Sequence, residues 1–262
     1  MMTTKTPIEE RVKLSGFNNL TKILSFNLYD FCIATSERQR EEYIAYIDQR
    51  YSASRLRDIA REVCRIIEAS ILAESIQDYE PVGASTMTLM SDLKGGKWEP
   101  AAAQGAAVAL HLDKSHITTH TYPDASDPDG ICTFRVDLDV ATCGEIVPLK
   151  ALDFMFQQFE CDVVFIDYVV RGYTRLASGK KIYLDHAVRS IQDFIAPEVL
   201  ARFPIRTDVN MVTDNTWQTK LMVDVADARG YLLDPNDAHD PGVVGAKLKL
   251  LRREMREVYH QD

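Results

Sequence analysis

The sequence lacks the short motifs by which proteins bind the common cofactors. It contains no GxGxxG or GxxxxGK[ST] loop for a nucleotide and no HExxH helix for zinc. Its five cysteines are odd in number, widely spaced and without a CxxC pair. That pattern favours free thiols in a reducing cytoplasm over a disulfide framework or a zinc site.

Basic patches and long apolar runs are also missing. The formal net charge is -9, and because nucleic acids are bound through basic surfaces, we expect no nucleic-acid partner. No apolar run approaches the roughly 18 residues that span a bilayer, and the start "MMTTKTPIEERVKLSG" has no apolar signal core, so no membrane partner is expected. With 46% hydrophobic residues, the composition predicts a globular cytoplasmic protein with a substantial core.

Alternating and helical patterns along the chain predict an α+β fold. Strands are expected at 20–34, 82–92, 130–145, 162–176, 180–186 and 207–213. Helices are expected at 36–51, 54–75, 148–160 and 246–260. No linker or repeat divides the chain, so we predict one domain, 1–262. Its expected architecture is a two-layer sandwich, a largely antiparallel sheet with helices packed on one face.

The stretch "HLDKSHITTHTYPD" at 111–124 places a serine, Ser115, close to a histidine, His120. Such a pair can act in a hydrolase if the base reaches the hydroxyl. Residues five apart in a flat strand point to opposite faces, so Ser115 must sit at a bend or strand end to meet His120. A Ser–His hydrolase therefore stays open as an alternative at this point.

Two further groups have both a functional and a structural interpretation. The aspartates of "DASDPDG", 124–130, resemble a metal loop but lack the later glutamate of a calcium hand, and Pro128-Asp129-Gly130 indicates a hairpin turn. A lone cysteine is usually a small buried hydrophobe. Cys143, however, precedes a glycine at the end of a long strand and is expected to be more accessible than most.

Taken together, these segments resemble the pyruvoyl-dependent S-adenosylmethionine decarboxylases of the longer bacterial class. The core of the resemblance is "DKSHITTHTYPD", "VATCGE" and "PLKAL". It extends, in order and over nearly the whole chain, through "GFNNLTK", "YIAYID", "QDYEPVGAS", "ICTFRVD", "IDYVVRGYTR", "IQDF" and "RREMREVY".

The resemblance implies a proenzyme that cuts itself between Lys114 and Ser115. An N-terminal chain, 1–114, and a C-terminal chain, 115–262, would result and stay associated. Only a residue with a β-oxygen can first attack the preceding carbonyl and then, once acylated, supply a leaving group. This requirement explains a serine at position 115.

The resemblance also implies the roles of three side chains. Ser115 becomes the covalent pyruvoyl group, which forms a Schiff base with the substrate amine and takes the place of pyridoxal phosphate. His120 is the proton acceptor in processing, and Cys143 is the proton donor in catalysis. Stimulation by Mg²⁺ is expected of the long class, although no ligand cluster in the sequence could be assigned to the ion.

The activity implied is decarboxylation of S-adenosylmethionine to the aminopropyl donor of spermidine and polyamine synthesis, by a homo-oligomer of two-chain protomers. The alternative is a related pyruvoyl decarboxylase acting on ornithine or arginine, because the processing motifs would be the same. A non-enzymatic homologue is a further alternative, but it predicts loss of Ser115 or Cys143, and both are present.

Overall fold

The computed structural model describes residues 19–92, 115–176, 178–239 and 241–262. The strands are β1 (Thr21–Ile33), β2 (Ala69–Asp78), β3 (Ala84–Asp92), β4 (Ser115–Asp124), β5 (Ile131–Cys143), β6 (Val163–Arg171), β7 (Thr174–Arg175), β8 (Lys181–Ile182), β9 (Ile205–Met211) and β10 (Thr216–Met222). The α-helices are α1 (Glu37–Arg50), α2 (Ala53–Ile66), α3 (Leu152–Gln158), α4 (Pro197–Leu200) and α5 (Pro241–His260). Short 3-10 helices lie at Pro148–Ala151, Ile191–Phe194, Val212–Asp214, Arg229–Tyr231 and Pro235–His239.

Eight strands form one sheet in the order β2-β3-β4-β5-β1-β6-β10-β9, and β7 and β8 form a separate small hairpin. Every neighbouring pair in the large sheet is antiparallel. β1 lies between β5 and β6, so the strand nearest the N-terminus is at the centre of the sheet. The predicted α+β class with a largely antiparallel sheet is confirmed.

One face of the sheet is covered by α1, α2 and α3. Alternate residues of β1, among them Leu24, Phe26 and Leu28, are fully buried in a core that these helices complete. The ring of Phe26 meets that of Phe156 on α3 edge-on at 5.0 Å. This arrangement follows from the period of two in the strands and the apolar stripe of α2.

The C-terminal helix α5 packs on the opposite face, which the sequence did not predict. Its residues Leu251, Met255 and Tyr259, spaced four apart, share a second core with Phe31 and Phe165. Phe31 is an odd-numbered position of β1 and therefore points away from the first core. The remainder of that face, toward β4 and β5, carries polar residues.

The element boundaries differ from prediction at several points. The strand expected over 162–176 is divided into β6 and β7, the one expected over 180–186 is only β8, β10 was not predicted, and α5 begins at Pro241 rather than at 246. The helix expected over 54–75 ends at Ile66, Glu68 adopts a left-handed φ of 62°, and β2 starts at Ala69. A left-handed residue breaks the helical path, and pairing with β3 then gives the following segment a strand partner. In the described part of the chain, no helix is both long and apolar enough to cross a membrane.

Candidate active site

Ser115 begins β4 on the helix-covered face and is only 5% exposed. Its Oγ accepts a hydrogen bond of 3.0 Å from the backbone N–H of Cys143. The register of β4 on β5, which sets His116 opposite Ala141, brings the two strand ends together. Ser115 thus occupies a strand end, which is the position that a contact with His120 would require. Its hydroxyl is oriented by the backbone N–H of Cys143.

Cys143 is the last residue of β5, and its side chain is exposed. The accessible thiol predicted from the sequence is confirmed. Gly144 follows with a left-handed φ of 69°, a conformation that a glycine adopts without strain. The serine and the cysteine, 28 residues apart in sequence, are therefore neighbours at one end of the sheet.

His120 is not brought to Ser115. It lies five residues further along β4, about 17 Å at the usual rise of a strand, and on the opposite face of the sheet. There it is half-buried, lies opposite Asp137 of β5 and stacks on Tyr122 with 6.4 Å between ring centroids. Within one chain, the geometry gives neither a Ser–His hydrolase pair nor a direct contact with residue 115.

A buried charge network lies directly behind the Ser115–Cys143 contact. Lys22 of β1 is fully buried, and its Nζ donates to Gly144 O at 2.7 Å and to Asp185 Oδ2 at 2.8 Å. Asp185 Oδ1 lies 2.7 Å from His186 Nδ1, and His186 Nε2 lies 2.9 Å from the Tyr168 hydroxyl. The network joins β1, β6, the turn after β5 and the segment after β8.

The electrostatics of this network keep Asp185 ionised. Burial alone would raise the pKa of Asp185, but the hydrogen bond with His186 and the ammonium of Lys22 outweigh burial and lower it below its usual value. A lysine and a carboxylate are therefore held as a desolvated ion pair, whose stability depends on both partners being present.

Sequence reasoning missed Lys22, Asp185 and His186. A detectable signal was present, because Lys22 occupies an inward position between Leu20 and Leu24 in an alternating strand. A lysine in such a row is rarely buried unless its charge is paired. The pattern indicates that a partner exists but not where it lies in the chain, since Asp185 is 163 residues away.

The aspartate-rich loop is the β4–β5 connection, and the predicted hairpin turn is confirmed. Asp127 Oδ1 accepts from the backbone N–H of Asp129 at 3.2 Å, and its Oδ2 accepts from that of Ile131 at 2.9 Å. These carboxylate oxygens stabilise the turn. Among the described residues, no group of three or more His, Cys, Asp or Glu side chains is arranged to hold a metal ion.

Comparison with known proteins places this geometry in one family. A sequence model described as S-adenosylmethionine decarboxylase matches residues 47–172. The S-adenosylmethionine decarboxylase proenzyme of Pseudoalteromonas translucida (strain TAC 125) is 48% identical over 96% of this chain and 95% of its own length. That of Stenotrophomonas maltophilia (strain R551-3) is 45% identical over 95% of this chain and 96% of its own length.

A solved structure, the adenosylmethionine decarboxylase from Aquifex aeolicus VF5, is also similar. It is 16% identical and covers 66% of this chain and 100% of its own, with a TM-score of 0.32. Conclusions about the family come from the full-length relatives, whose identity is far higher.

Proposed function

The chain belongs to the S-adenosylmethionine decarboxylase family, and from this premise we propose that it processes itself at Ser115 into a pyruvoyl enzyme that decarboxylates S-adenosylmethionine. The relatives named as proenzymes of this decarboxylase match almost the whole chain, which favours this activity over the ornithine or arginine alternative. The observation that carries the processing proposal is the buried Ser115 hydroxyl, fixed by the Cys143 backbone N–H at 3.0 Å.

Self-processing begins when Ser115 Oγ attacks the carbonyl carbon of residue 114. The Oγ proton passes to the nitrogen of residue 115, the amide bond breaks, an ester forms on Oγ, and the amine of residue 115 is released. Removal of the α-proton of residue 115 then expels the 114 carboxylate from Cβ. The resulting enamine becomes an imine, and water replaces its nitrogen to give ammonia and a keto group at the new N-terminus. Lys114 itself lies outside the described residues.

Residues of the chain fit this chemistry at two atoms. The Cys143 N–H is placed to orient Ser115 Oγ for its attack on the carbonyl carbon of residue 114. The exposed Cys143 thiol carries a proton that it can return to substrate. The pyruvoyl group supplies the electron sink that loss of carbon dioxide requires.

The sheet explains why the two products of cleavage are expected to stay together. β1, β2 and β3 belong to the part before the cut, whereas β4 to β10 follow it. β1 is hydrogen-bonded on one side to β5 and on the other to β6. Separation would therefore break two ladders at the centre of the sheet and expose its core.

For His120, the proposed role as proton acceptor in processing needs a further contact. Since His120 and Ser115 lie on opposite faces of β4, His120 acts on residue 115 only in another copy of the chain or after a rearrangement. The former agrees with the homo-oligomer of two-chain protomers that we propose. The five free cysteines agree with a cytoplasmic location, and Mg²⁺, if it stimulates the enzyme, has no assigned ligands.

Intact mass of the purified protein tests the proposal. We expect two components, 1–114 with a free carboxylate and 115–262 with a pyruvoyl-blocked terminus, together with carbon dioxide release from carboxyl-labelled S-adenosylmethionine. Ser115→Ala should give one uncut chain without activity, because it has no nucleophile. His120→Ala should accumulate an ester that hydroxylamine cleaves.

Two outcomes contradict this proposal. An uncut wild-type chain that reacts with serine-directed acylating reagents would indicate a hydrolase. Release of carbon dioxide from labelled ornithine or arginine, with none from S-adenosylmethionine, would retain the processing but reject the substrate.

A further inference from the structure

We propose that Lys22 and Asp185 are positioning residues, which hold the turn after β5 so that the Cys143 N–H stays directed at Ser115 Oγ. The inference rests on the proposed function, because it assigns the pair a part in the attack by Ser115. Neither side chain touches Ser115 in the described contacts, so the pair acts through the turn.

Both backbone polar groups of Gly144 are hydrogen-bonded to residues at the beginning of β1 or just before it. The N–H of Gly144 donates to Leu20 O at 3.2 Å, and its carbonyl accepts from Lys22 Nζ at 2.7 Å. Between them the chain takes the left-handed φ of 69°. The N–H that contacts Ser115 belongs to the preceding residue, Cys143, so its direction depends on how Gly144 is anchored.

Burial of the Lys22 ammonium costs desolvation free energy, which argues that the charge has a function at this position. Lys22 has no exposed surface, and it stands in a row otherwise filled by Leu20, Leu24 and Phe26. An apolar residue there would complete the core without a desolvation cost. Lysine instead supplies a charge-assisted hydrogen bond to the turn, which is stronger than a neutral one.

Asp185 fixes the direction of the lysine. Its Oδ2 contacts Lys22 Nζ at 2.8 Å, while its Oδ1 is held by His186, which in turn meets the Tyr168 hydroxyl on β6. The carboxylate is thus oriented from the side opposite the turn. With Nζ held by Asp185, the ammonium also donates to the Gly144 carbonyl, and the turn is preorganised before processing begins.

Preorganisation matters because Ser115 Oγ attacks efficiently only when it is already held in the right position and direction relative to the preceding carbonyl carbon. Misplacement of a catalytic donor by about 1 Å can cost about 100-fold in rate. We therefore expect loss of Lys22 to slow the attack of Ser115 on the preceding carbonyl.

The test compares Lys22→Met, Asp185→Asn and the double variant with wild type. Each full-length chain is made by cell-free synthesis, and conversion of uncut chain to two fragments is followed on denaturing gels. The stability of each is measured by urea unfolding in a Ser115→Ala background, where no cut occurs. We expect both single variants to be less stable and to be cut at least about tenfold more slowly.

The double variant separates positioning from stability. It removes both charges of the Lys22–Asp185 ion pair, so its stability should recover relative to the single variants. Its cutting should stay slow, because Gly144 O still lacks its donor, and hydroxylamine should release no fragments, because the ester has not formed. Recovery of wild-type cutting together with stability would show a purely structural role and overturn the inference.

A matched control destabilises the sheet away from the turn. Asp208 of β9 accepts hydrogen bonds from Ser190, Gln192 and Thr219, so Asp208→Asn removes a partly buried carboxylate from a similar network. It should lower stability and leave cutting near the wild-type rate. Lys22→Met cut as fast as wild type, or stalled as a hydroxylamine-sensitive ester, contradicts the inference alone. A wild-type chain that is never cut overturns the proposed function itself.

Discussion

At the scale of single residues, the proposed mechanism uses two different atoms of position 143 in two steps. Its backbone N–H holds the Ser115 hydroxyl before cleavage, and its thiol is exposed at the same strand end. The first contact is available to any residue that has an N–H, whereas the second belongs to cysteine. Processing and turnover should therefore respond differently to substitution of this side chain.

Cys143→Ala is expected to cut itself at close to the wild-type rate and to turn over S-adenosylmethionine at least about 100-fold more slowly, because it lacks the proposed proton donor. Denaturing gels measure the first effect, and release of labelled carbon dioxide measures the second. Cys32→Ala is the matched control, since Cys32 lies eleven residues along β1 from Thr21, which pairs with Cys143. An uncut Cys143→Ala chain, or one with wild-type turnover, would contradict this division of roles.

At the scale of elements, the sequence predicts the strands in which apolar and polar residues alternate strongly. It misses strands that lack this local pattern and are defined only by pairing with a neighbour. β5 alternates cleanly over its 13 residues and β1 over its first eight, and the ends of both strands were predicted to within two residues. β2 is an edge strand with mostly exposed residues, and its local pattern resembles a continuation of α2. Its identity comes from pairing with β3, which no local pattern encodes.

The same limit applies to the site. Ser115 and Cys143 were predicted from motifs, but their contact depends on the β4–β5 register. The Lys22–Asp185 pair joins β1 to an irregular segment after β8, and no periodicity links the two. A single sequence indicates which residues carry the chemistry, while tertiary contacts determine which residues hold them in place.

Turn glycines give a prediction at this scale, because two of them share a backbone conformation but not an environment. Gly172 follows β6 with a φ of 81°, and a Cβ added there would overlap Asn19 O. Gly179 has a φ of 85°, and a Cβ added there would have no atom within 4 Å beyond its chain neighbours. Gly179→Ala should cost about 1 kcal/mol of unfolding free energy, from backbone strain alone. Gly172→Ala should cost roughly 3 kcal/mol or more, because steric overlap with Asn19, which lies just before β1, adds to the strain.

Urea unfolding in the Ser115→Ala background measures both glycine variants on a single uncut chain. Gly179→Ala serves as the control, since it changes the same atoms at nearly the same φ. Equal losses of stability at the two positions would show that steric overlap with Asn19 contributes nothing.

At the scale of the whole molecule, two neighbouring aspartates, Asp30 and Asp162, lie where the sheet contacts the second core. Asp162 precedes β6 and accepts from the Phe31 N–H at 3.0 Å and from the Tyr231 hydroxyl at 2.8 Å. Burial, together with the charges of Asp162 and Glu160, raises the pKa of Asp30 to about 8. Because Asp162 already accepts two hydrogen bonds, Asp30 is the carboxyl that keeps the proton.

The pair gives global stability a pH dependence whose sign is set by Asp30. In the unfolded chain an aspartate titrates near pH 4, whereas in the folded protein Asp30 holds its proton to about pH 8. The stabilising contribution is complete below about pH 4 and is lost as pH rises through the folded value.

Asparagine has the shape of the protonated acid and does not titrate. Asp30→Asn in the Ser115→Ala background should therefore gain stability relative to its parent as pH rises from 5 to 8. Urea midpoints at the two pH values measure this gain, and Glu41→Gln, an exposed carboxylate on α1, is the control that should show almost none. A difference between Asp30→Asn and its parent that is the same at both pH values would mean that Asp30 is ionised in the folded protein.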